Sequence, residues 1–144
     1  MGTPSKTVKT EGLSALLAFA RQGHACRTAQ KAYFRARKLR KPQEADAALA
    51  AAREEESKLD RSISEITRRG ATQDVRELVL LAAAMRSAQR QFIARSGRSG
   101  VSAAREEMYA AKTAESRFDS AVMRALALEQ QTLPGMDTEG GDET

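Results

Sequence analysis

The feature that most constrains this 144-residue chain is an internal repeat. Residues 25–31 (ACRTAQK) match residues 84–90 (AMRSAQR), which sets the offset between the copies. The same offset aligns residues 51–53 with 110–112, and residues 56–60 with 115–119, without a gap. Because one offset holds across two separate segments, we predict that the chain contains two copies of a single structural unit.

Each unit is predicted to be a helix, a short turn and a second helix. Strong helix formers dominate the sequence, only three prolines occur, and no stretch alternates polar and apolar residues as a strand would. Pro42 suits the first turn of a helix, and Asp74 with Glu77 resembles a capping box. Residues 96–100 (SGRSG) are predicted to be a turn. The predicted helices cover residues 13–39, 42–66, 75–95 and 102–131.

The predicted fold class is therefore all-α. We expect a four-helix up-down-up-down bundle made of two tandemly duplicated helical hairpins, because short turns force neighbouring helices to run antiparallel. One bundle domain would cover residues 11–131, with the hairpin repeats at 13–66 and 74–128. Residues 1–10 are expected to be a flexible N-terminus and residues 132–144 a disordered acidic tail.

Each predicted helix carries an apolar seam with alternating spacings of three and four residues, the stripe that packs in a bundle. The seam positions are 16, 19, 23, 26, 30 and 33 in the first helix, 49, 52, 56, 59, 63 and 66 in the second, 75, 78, 82, 85, 89 and 92 in the third, and 108, 111, 115, 118, 122 and 125 in the fourth. One position in each seam is polar, namely Gln in the first and third helices and Glu in the second and fourth. Folding each hairpin about its turn brings the Gln and the Glu close to an arginine. We therefore expect a polar layer in the middle of the bundle, with Asp60 and Asp119 one turn further along. Its members are Arg27, Gln30, Glu56, Arg86, Gln89 and Glu115.

Two interpretations of this layer follow. Burying a carboxylate is costly unless a cation and hydrogen-bond donors meet it, and Arg and Gln supply both. The favoured interpretation is structural, since a polar layer fixes the register of an Ala-rich bundle that could otherwise slip. The alternative is that the layer forms the wall of a binding site for a small polar or anionic ligand, or for a partner helix.

Catalytic chemistry is not indicated. His24 is the only histidine and Cys26 the only cysteine, and their copies in the second unit are Ala83 and Met85. Bundle metal sites need several inward carboxylates together with histidines, and no triad, phosphate-binding loop or dinucleotide motif is present. We predict no catalytic residue, no metal, no cofactor and no enzymatic activity. Because no apolar run is long enough to span a bilayer and the start lacks a signal-type segment, the expected location is the cytoplasm.

Charge points to one end of the expected bundle. The net charge is +5, and in an up-down-up-down arrangement the turns after the first and third helices lie together. The cations there could bind an anion such as a nucleic-acid backbone, or could simply close the ends of the helices. The candidate residues for anion or nucleic-acid binding are Arg35, Arg37, Lys38, Arg40, Lys41, Arg95 and Arg98.

Two segments of the first unit, residues 26–37 (CRTAQKAYFRAR) and 54–60 (EEESKLD), resemble a pattern in small helical-hairpin proteins of bacteriophages and bacterial mobile elements. In those proteins an Ala-Gln-Lys-x-Tyr-Phe-x-x-Arg helix end precedes a short turn and a Glu/Leu-rich helix. The second unit carries the pattern loosely, since Phe92 and Ile93 replace the Tyr-Phe pair. The resemblance implies a phage or mobile-element origin and implies no activity.

The expected function is that of a non-enzymatic binding protein, which acts by docking a helical surface on another protein or on a second copy of itself. Apolar residues left outside a thin core, including Phe34, Leu81 and Ile93, would be covered by such contacts. The alternative is nucleic-acid binding through the basic end. A third hypothesis is a sensor that holds a small anion at the polar layer.

Overall fold

The computed structural model describes the backbone of residues 2–132 and the side chains of residues 12–131. Over this range the chain is all-α with four α-helices and no strand, as predicted. A single 3₁₀ turn, Ser102–Ala104, precedes the last helix. The helices are α1 (Gly2–Lys38), α2 (Pro42–Arg69), α3 (Gln73–Ser99) and α4 (Arg105–Thr132).

The helices extend beyond several of the predicted limits. Helix α1 begins at Gly2 rather than near Leu13, because Pro4 falls in its first turn, where a missing N–H costs nothing. Pro42 occupies the first turn of α2 as predicted. The side chains of residues 2–11 and the whole of 133–144 lie outside the described residues, so the flexibility expected at both chain ends stays a prediction.

Two local predictions were wrong. Residues 96–99 do not form a turn, because Gly97 continues α3 and the helix ends only at Ser99, with Gly100 at its C-cap. Gly100 has a φ of +87°, a conformation that favours glycine, and its N–H donates to the carbonyl oxygen of Ser96. Asp74 does not cap α3, since the helix already begins at Gln73 with Thr72 at the N-cap, and Glu77 accepts a hydrogen bond from Gln73.

The contacts among the helices fit a bundle. Helix α1 packs on α2 and α3 packs on α4, and the two pairs meet through α1–α3, α1–α4 and α2–α3 contacts. Gly12 lies beside Thr72 and Gln30 is bonded to Gln89, so α1 and α3 advance in the same direction. The turn at residues 39–41 and the turn at 100–104 therefore lie on the same side of the Gln30–Gln89 contact.

The apolar core occupies only one side of that contact. Its buried members come from all four helices and include large side chains such as Phe19, Leu59, Met85 and Phe118. They all fall within residues 12–29, 57–88 and 116–131, which we call the closed end. The predicted seams are correctly placed there, since Leu16, Phe19, Cys26, Val75, Leu78 and Val122 are all buried.

Candidate functional site

The polar layer is centred on a pair of amides. Gln30 and Gln89 donate to each other, with both Nε2–Oε1 distances at 3.1 Å. The second N–H of Gln30 donates to Glu56 (2.7 Å), and that of Gln89 donates to Glu115 (2.8 Å). Because carboxylates accept and guanidinium groups donate, these neighbours fix which end of each amide is the oxygen.

Two arginines complete the hydrogen bonds of the amides. Arg27 Nη1 donates to Gln30 Oε1 at 2.7 Å, and Arg86 Nη1 donates to Gln89 Oε1 at 2.6 Å. Each amide therefore uses both of its N–H donors and both lone pairs of its oxygen inside the layer. That leaves neither amide free to bind a ligand and favours the structural interpretation of the layer.

The arginines also join the two hairpins. Sequence reasoning grouped Arg27 with Glu56 of its own hairpin, but Arg27 contacts the carboxylates of the other hairpin. Its guanidinium bonds Asp119 at 2.9 and 3.3 Å and lies 3.7 Å from Glu115. In the same way Arg86 bonds Asp60 at 2.9 and 3.2 Å and lies 3.6 Å from Glu56.

Four further residues thus belong to the layer and its rim. Asp60 and Asp119 accept bidentate arginine bonds, which are the strong kind of ion pair. At the rim Lys31 lies 3.3 Å from Asp119, and Arg90 lies 3.5 Å from Asp60. The four carboxylates then face four cations, so the layer carries no net charge. The signal for this rim was present in the sequence, since Lys31 and Arg90 occupy equivalent positions in the repeat.

Burial in the layer is fully compensated. Arg27, Gln30, Arg86 and Gln89 are buried, yet no buried side-chain nitrogen or oxygen among the described residues lacks a hydrogen-bond partner. Burial alone would lower the pKa of Arg86, but its hydrogen bond to Asp60 and the charge of Glu56 outweigh this and raise the pKa. The arginine therefore stays charged, as the ion pairs require.

Cys26 lies against the layer and is inert. Its side chain is fully buried, and burial together with the charge of Glu56 raises the pKa of the thiol to about 12. A thiol with such a pKa holds almost no nucleophilic thiolate near neutral pH. The nearby His24 is exposed.

On the other side of the layer the hairpins are not joined by a shared core. We call residues 32–55 and 91–114 the open end. Its buried apolar residues are all alanines, at positions 36, 45, 52, 104 and 111. Among the described residues, the ion pairs and side-chain hydrogen bonds between the hairpins reach no further toward the turns than Lys31 and Arg90.

Two apolar side chains mark this loss of contact. Phe34 follows Arg27 and Gln30 by seven and four positions, so it lies on the same inner face of α1. Ile93 has the same relation to Arg86 and Gln89. Phe34 is nevertheless 56% exposed and Ile93 65% exposed. The side of this face that follows the polar layer is therefore open to solvent beyond it, while the neighbouring Tyr33 and Phe92 are half-buried.

The third apolar residue predicted at the surface is placed differently. Leu81 is partly buried against the core, so the prediction that it lies outside the core was wrong. Its side chain lies on the core face of α3 because it follows the buried Leu78 by three positions. The neighbouring Leu80 points away from the core and is 68% exposed.

The predicted basic residues all lie at the open end. Five of them, at positions 35, 37, 38, 40 and 41, surround the end of α1, and Arg95 and Arg98 lie near the end of α3. Several already have partners: Arg37 stacks over the ring of Tyr33 at 5.6 Å, and Arg95 donates to the carbonyl oxygen of Ala103 at 3.5 Å. The structure thus gathers these residues at one end and leaves most of them exposed.

Two surface depressions lie along α2, and one of them is also lined by Gln22 of α1. Both are open to solvent, and they share Arg61 and Glu65. No cluster of three or more metal-ligating side chains occurs within the part of the chain that the structure describes. Over the same residues, no helix is long and apolar enough to cross a membrane.

No protein-family model, curated protein or solved structure matches this chain. The geometry of the polar layer and of the open end is therefore the basis for any functional proposal.

Proposed function

We propose that this protein is a non-enzymatic helical clamp, which binds another protein between the open ends of two duplicated hairpins. The observation that carries the proposal is the exposure of Phe34 and Ile93 on the inner face of α1 and α3. Apolar side chains that face the interior of a fold yet remain exposed are typical of docking surfaces. Binding a partner there would remove them from water.

The architecture proposed with this function is an up-down-up-down bundle formed by duplication. Its support is the equivalence of contacts in the two halves: Gln30 bonds Glu56 as Gln89 bonds Glu115, and Arg27 bonds Asp119 as Arg86 bonds Asp60. Equivalent positions in the two hairpins thus make equivalent bonds. The likeness of the first hairpin to phage and mobile-element proteins supports such an origin for the unit.

The polar layer and the core have the role of the joint that holds the two arms of the clamp together. The closed end, with its core and neutral polar layer, holds the hairpins together, while each arm of the open end is held internally by alanines. From Gln30 to the end of α1 an arm projects roughly 12 Å, at about 1.5 Å per residue. Such arms offer an inner surface without requiring the core to open.

The proposal is tested by affinity capture from cells that produce the protein. Three baits are compared: wild type, the Phe34→Asp/Ile93→Asp double variant, and Leu80→Asp, which places the same charge at an exposed leucine in the closed end. The clamp predicts proteins that are retained by wild type and Leu80→Asp and are lost with the double variant. Equal retention by all three baits would overturn it.

Nucleic-acid binding remains the competing hypothesis, favoured by the seven cations gathered at the open end. It predicts that duplex or single-stranded DNA binds at low salt and dissociates steeply as salt rises. Absence of binding at low salt would eliminate it.

A further inference from the structure

The inner surface of the open end carries cations as well as apolar side chains. Arg53 precedes Asp60 by seven positions, so both lie on the same face of α2, the one from which Asp60 reaches Arg86 of the other hairpin. Lys112 has the same relation to Asp119 on α4. Arg53 and Lys112 therefore face the opening, one from each hairpin.

These two cations are not neutralised by any residue that the structure describes. Both are exposed, and neither makes an ion pair or a side-chain hydrogen bond with any described residue. Carboxylates at this end are partly engaged elsewhere, since Glu44 lies 4.0 Å from Lys41 and Glu55 lies 3.6 Å from Lys58. Asp46 and Arg105 precede Arg53 and Lys112 by seven positions, so the inner faces of α2 and α4 carry three cations and one carboxylate in this region and keep a positive balance.

Between the cations lies an apolar floor. Leu49 and Met108 precede Glu56 and Glu115 by seven positions, which places them on the inner faces of α2 and α4, and both are half-buried. Phe34 and Ile93 continue this surface on α1 and α3. The surface thus combines an apolar strip with a cation at either edge.

We propose that the occupant of this opening is an acidic amphipathic helix of a partner protein; this inference rests on the proposed clamp and names the chemistry of its partner. The apolar face of the helix packs on Phe34, Ile93, Leu49 and Met108, and carboxylates flanking that face pair with Arg53 and Lys112. Helix-in-groove docking uses this combination of an apolar face and charged edges. A nucleic acid fits the strip less well, since three of its four apolar side chains (Leu49, Ile93 and Met108) are aliphatic and bases bind by stacking on aromatic rings. A second copy of the chain that docked through the same surface would place its own cations against Arg53 and Lys112, which is unfavourable.

The test uses a fluorescent 16-residue helical peptide with leucines on one face and glutamates on the other. Its controls are a twin with lysine in place of every glutamate and a scrambled peptide that keeps the composition but loses the apolar face. Binding is followed by fluorescence anisotropy. We expect the acidic peptide to bind at least tenfold more tightly than either control.

Charge reversal then locates the binding. Arg53→Glu/Lys112→Glu should weaken the acidic peptide at least tenfold and strengthen the lysine twin. The matched control is Arg61→Glu/Arg124→Glu, which reverses two exposed cations of α2 and α4 outside the opening and should change affinity less than twofold. Circular dichroism checks that every variant is folded, and the gain of the lysine twin is a result that unfolding cannot produce.

Equal binding of the acidic and basic peptides, or equal losses of affinity in the two charge-reversed variants, would overturn the inference. It would also be overturned if a single-stranded oligonucleotide bound more tightly than the acidic peptide, and if that binding depended on Arg53 and Lys112 but not on Phe34 and Ile93. Concentration-dependent dimerisation that is lost with Phe34→Asp would assign the surface to a second copy instead. If the capture experiment succeeds while the acidic peptide fails, the clamp stands and only the chemistry of the partner is wrong.

Discussion

The closed and open ends share the same helical faces but use them in opposite ways. In the closed end the inner face of α1 buries Leu16 and Ala20, and in the open end the same face exposes Phe34. The polar layer separates the two regions and is identical in both hairpins at Arg27/Arg86, Gln30/Gln89, Glu56/Glu115 and Asp60/Asp119. The apolar core pairs around it differ, as with Leu59/Phe118 and Cys26/Met85. The comparison indicates that stability is concentrated in the layer and the closed end, while the inner side of the open end is left exposed.

The largest effect is expected at the boundary itself. Arg27→Met removes the buried cation that bonds Asp119 and Gln30 and lies beside Glu115, so unfolding in urea should show a loss of about 3 kcal/mol. Arg86→Met should cost a similar amount. Arg21→Met removes only a surface pair with Glu129 and should cost less than about 1 kcal/mol. Equal effects of the Arg27 and Arg21 substitutions would remove the distinction between the layer and the surface.

A pH series tests the burial of Cys26 beside the layer. The pKa of the folded thiol is raised to about 12 from an ordinary value of 9.0, so the unfolded chain loses this proton first as the pH rises. The stability contributed by the protonated thiol is complete below pH 9 and is lost as pH rises toward 12. At pH 10.5 the loss should be about 2 kcal/mol relative to pH 8. Cys26→Ala has no thiol and should not show this loss of stability. Parallel pH profiles of stability for the two proteins would contradict the raised pKa of Cys26.

Gly23 tests how the two halves differ in packing. A Cβ at Gly23 would overlap the ring of Phe118, so Gly23→Ala should destabilise the protein by about 1–2 kcal/mol despite the better helix propensity of alanine. The equivalent pair in the other half is Ala82 and Leu59, and Gly23→Ala/Phe118→Leu should recover most of the loss.

The control for this substitution is Gly97, which lies inside α3 with open space around its Cβ position. Gly97→Ala should stabilise by about 0.5–1 kcal/mol. If Gly23→Ala stabilises to the same extent, the close packing against Phe118 is wrong.

The smallest effect on stability is expected in the open end. Phe34→Asp and Ile93→Asp replace side chains that are already exposed, so each should change the free energy of unfolding by about 0.5 kcal/mol or less. Phe19→Asp in the closed end should prevent folding or cost several kcal/mol. A large loss for Phe34→Asp would show that the open end contributes to the core.

Much of the closed end followed from the sequence. Alternating spacings of three and four correctly placed Cys26, Gln30 and Met85 on buried faces, because periodicity alone determines which residues share a side of a helix. The partner of Arg27 could not be obtained this way. Its bond to Asp119 joins separate hairpins, and spacing within one helix carries no information on how hairpins are set against each other.

The exposure of the open end could not be predicted from the sequence either. Periodicity places Phe34 on the inner face, and its exposure depends on where the other hairpin lies, which is a tertiary property. The turn predicted at residues 96–100 begins too early for a local reason. Gly97 is compatible with a helix and continues α3, and only Gly100 takes the positive φ that ends it.

The measurement that separates the two ends most directly is the rate of thiol labelling on the inner sides of α1 and α3. Cys26 of the wild type is compared with single cysteines introduced by Phe34→Cys and Ile93→Cys in a Cys26→Ala background, under native conditions at pH 8. The account predicts that the cysteines at 34 and 93 react within about tenfold of the unfolded chain, and that Cys26 reacts at least about a hundredfold more slowly. Comparable protection at all three positions would mean that the hairpins close over both ends, and would contradict the clamp.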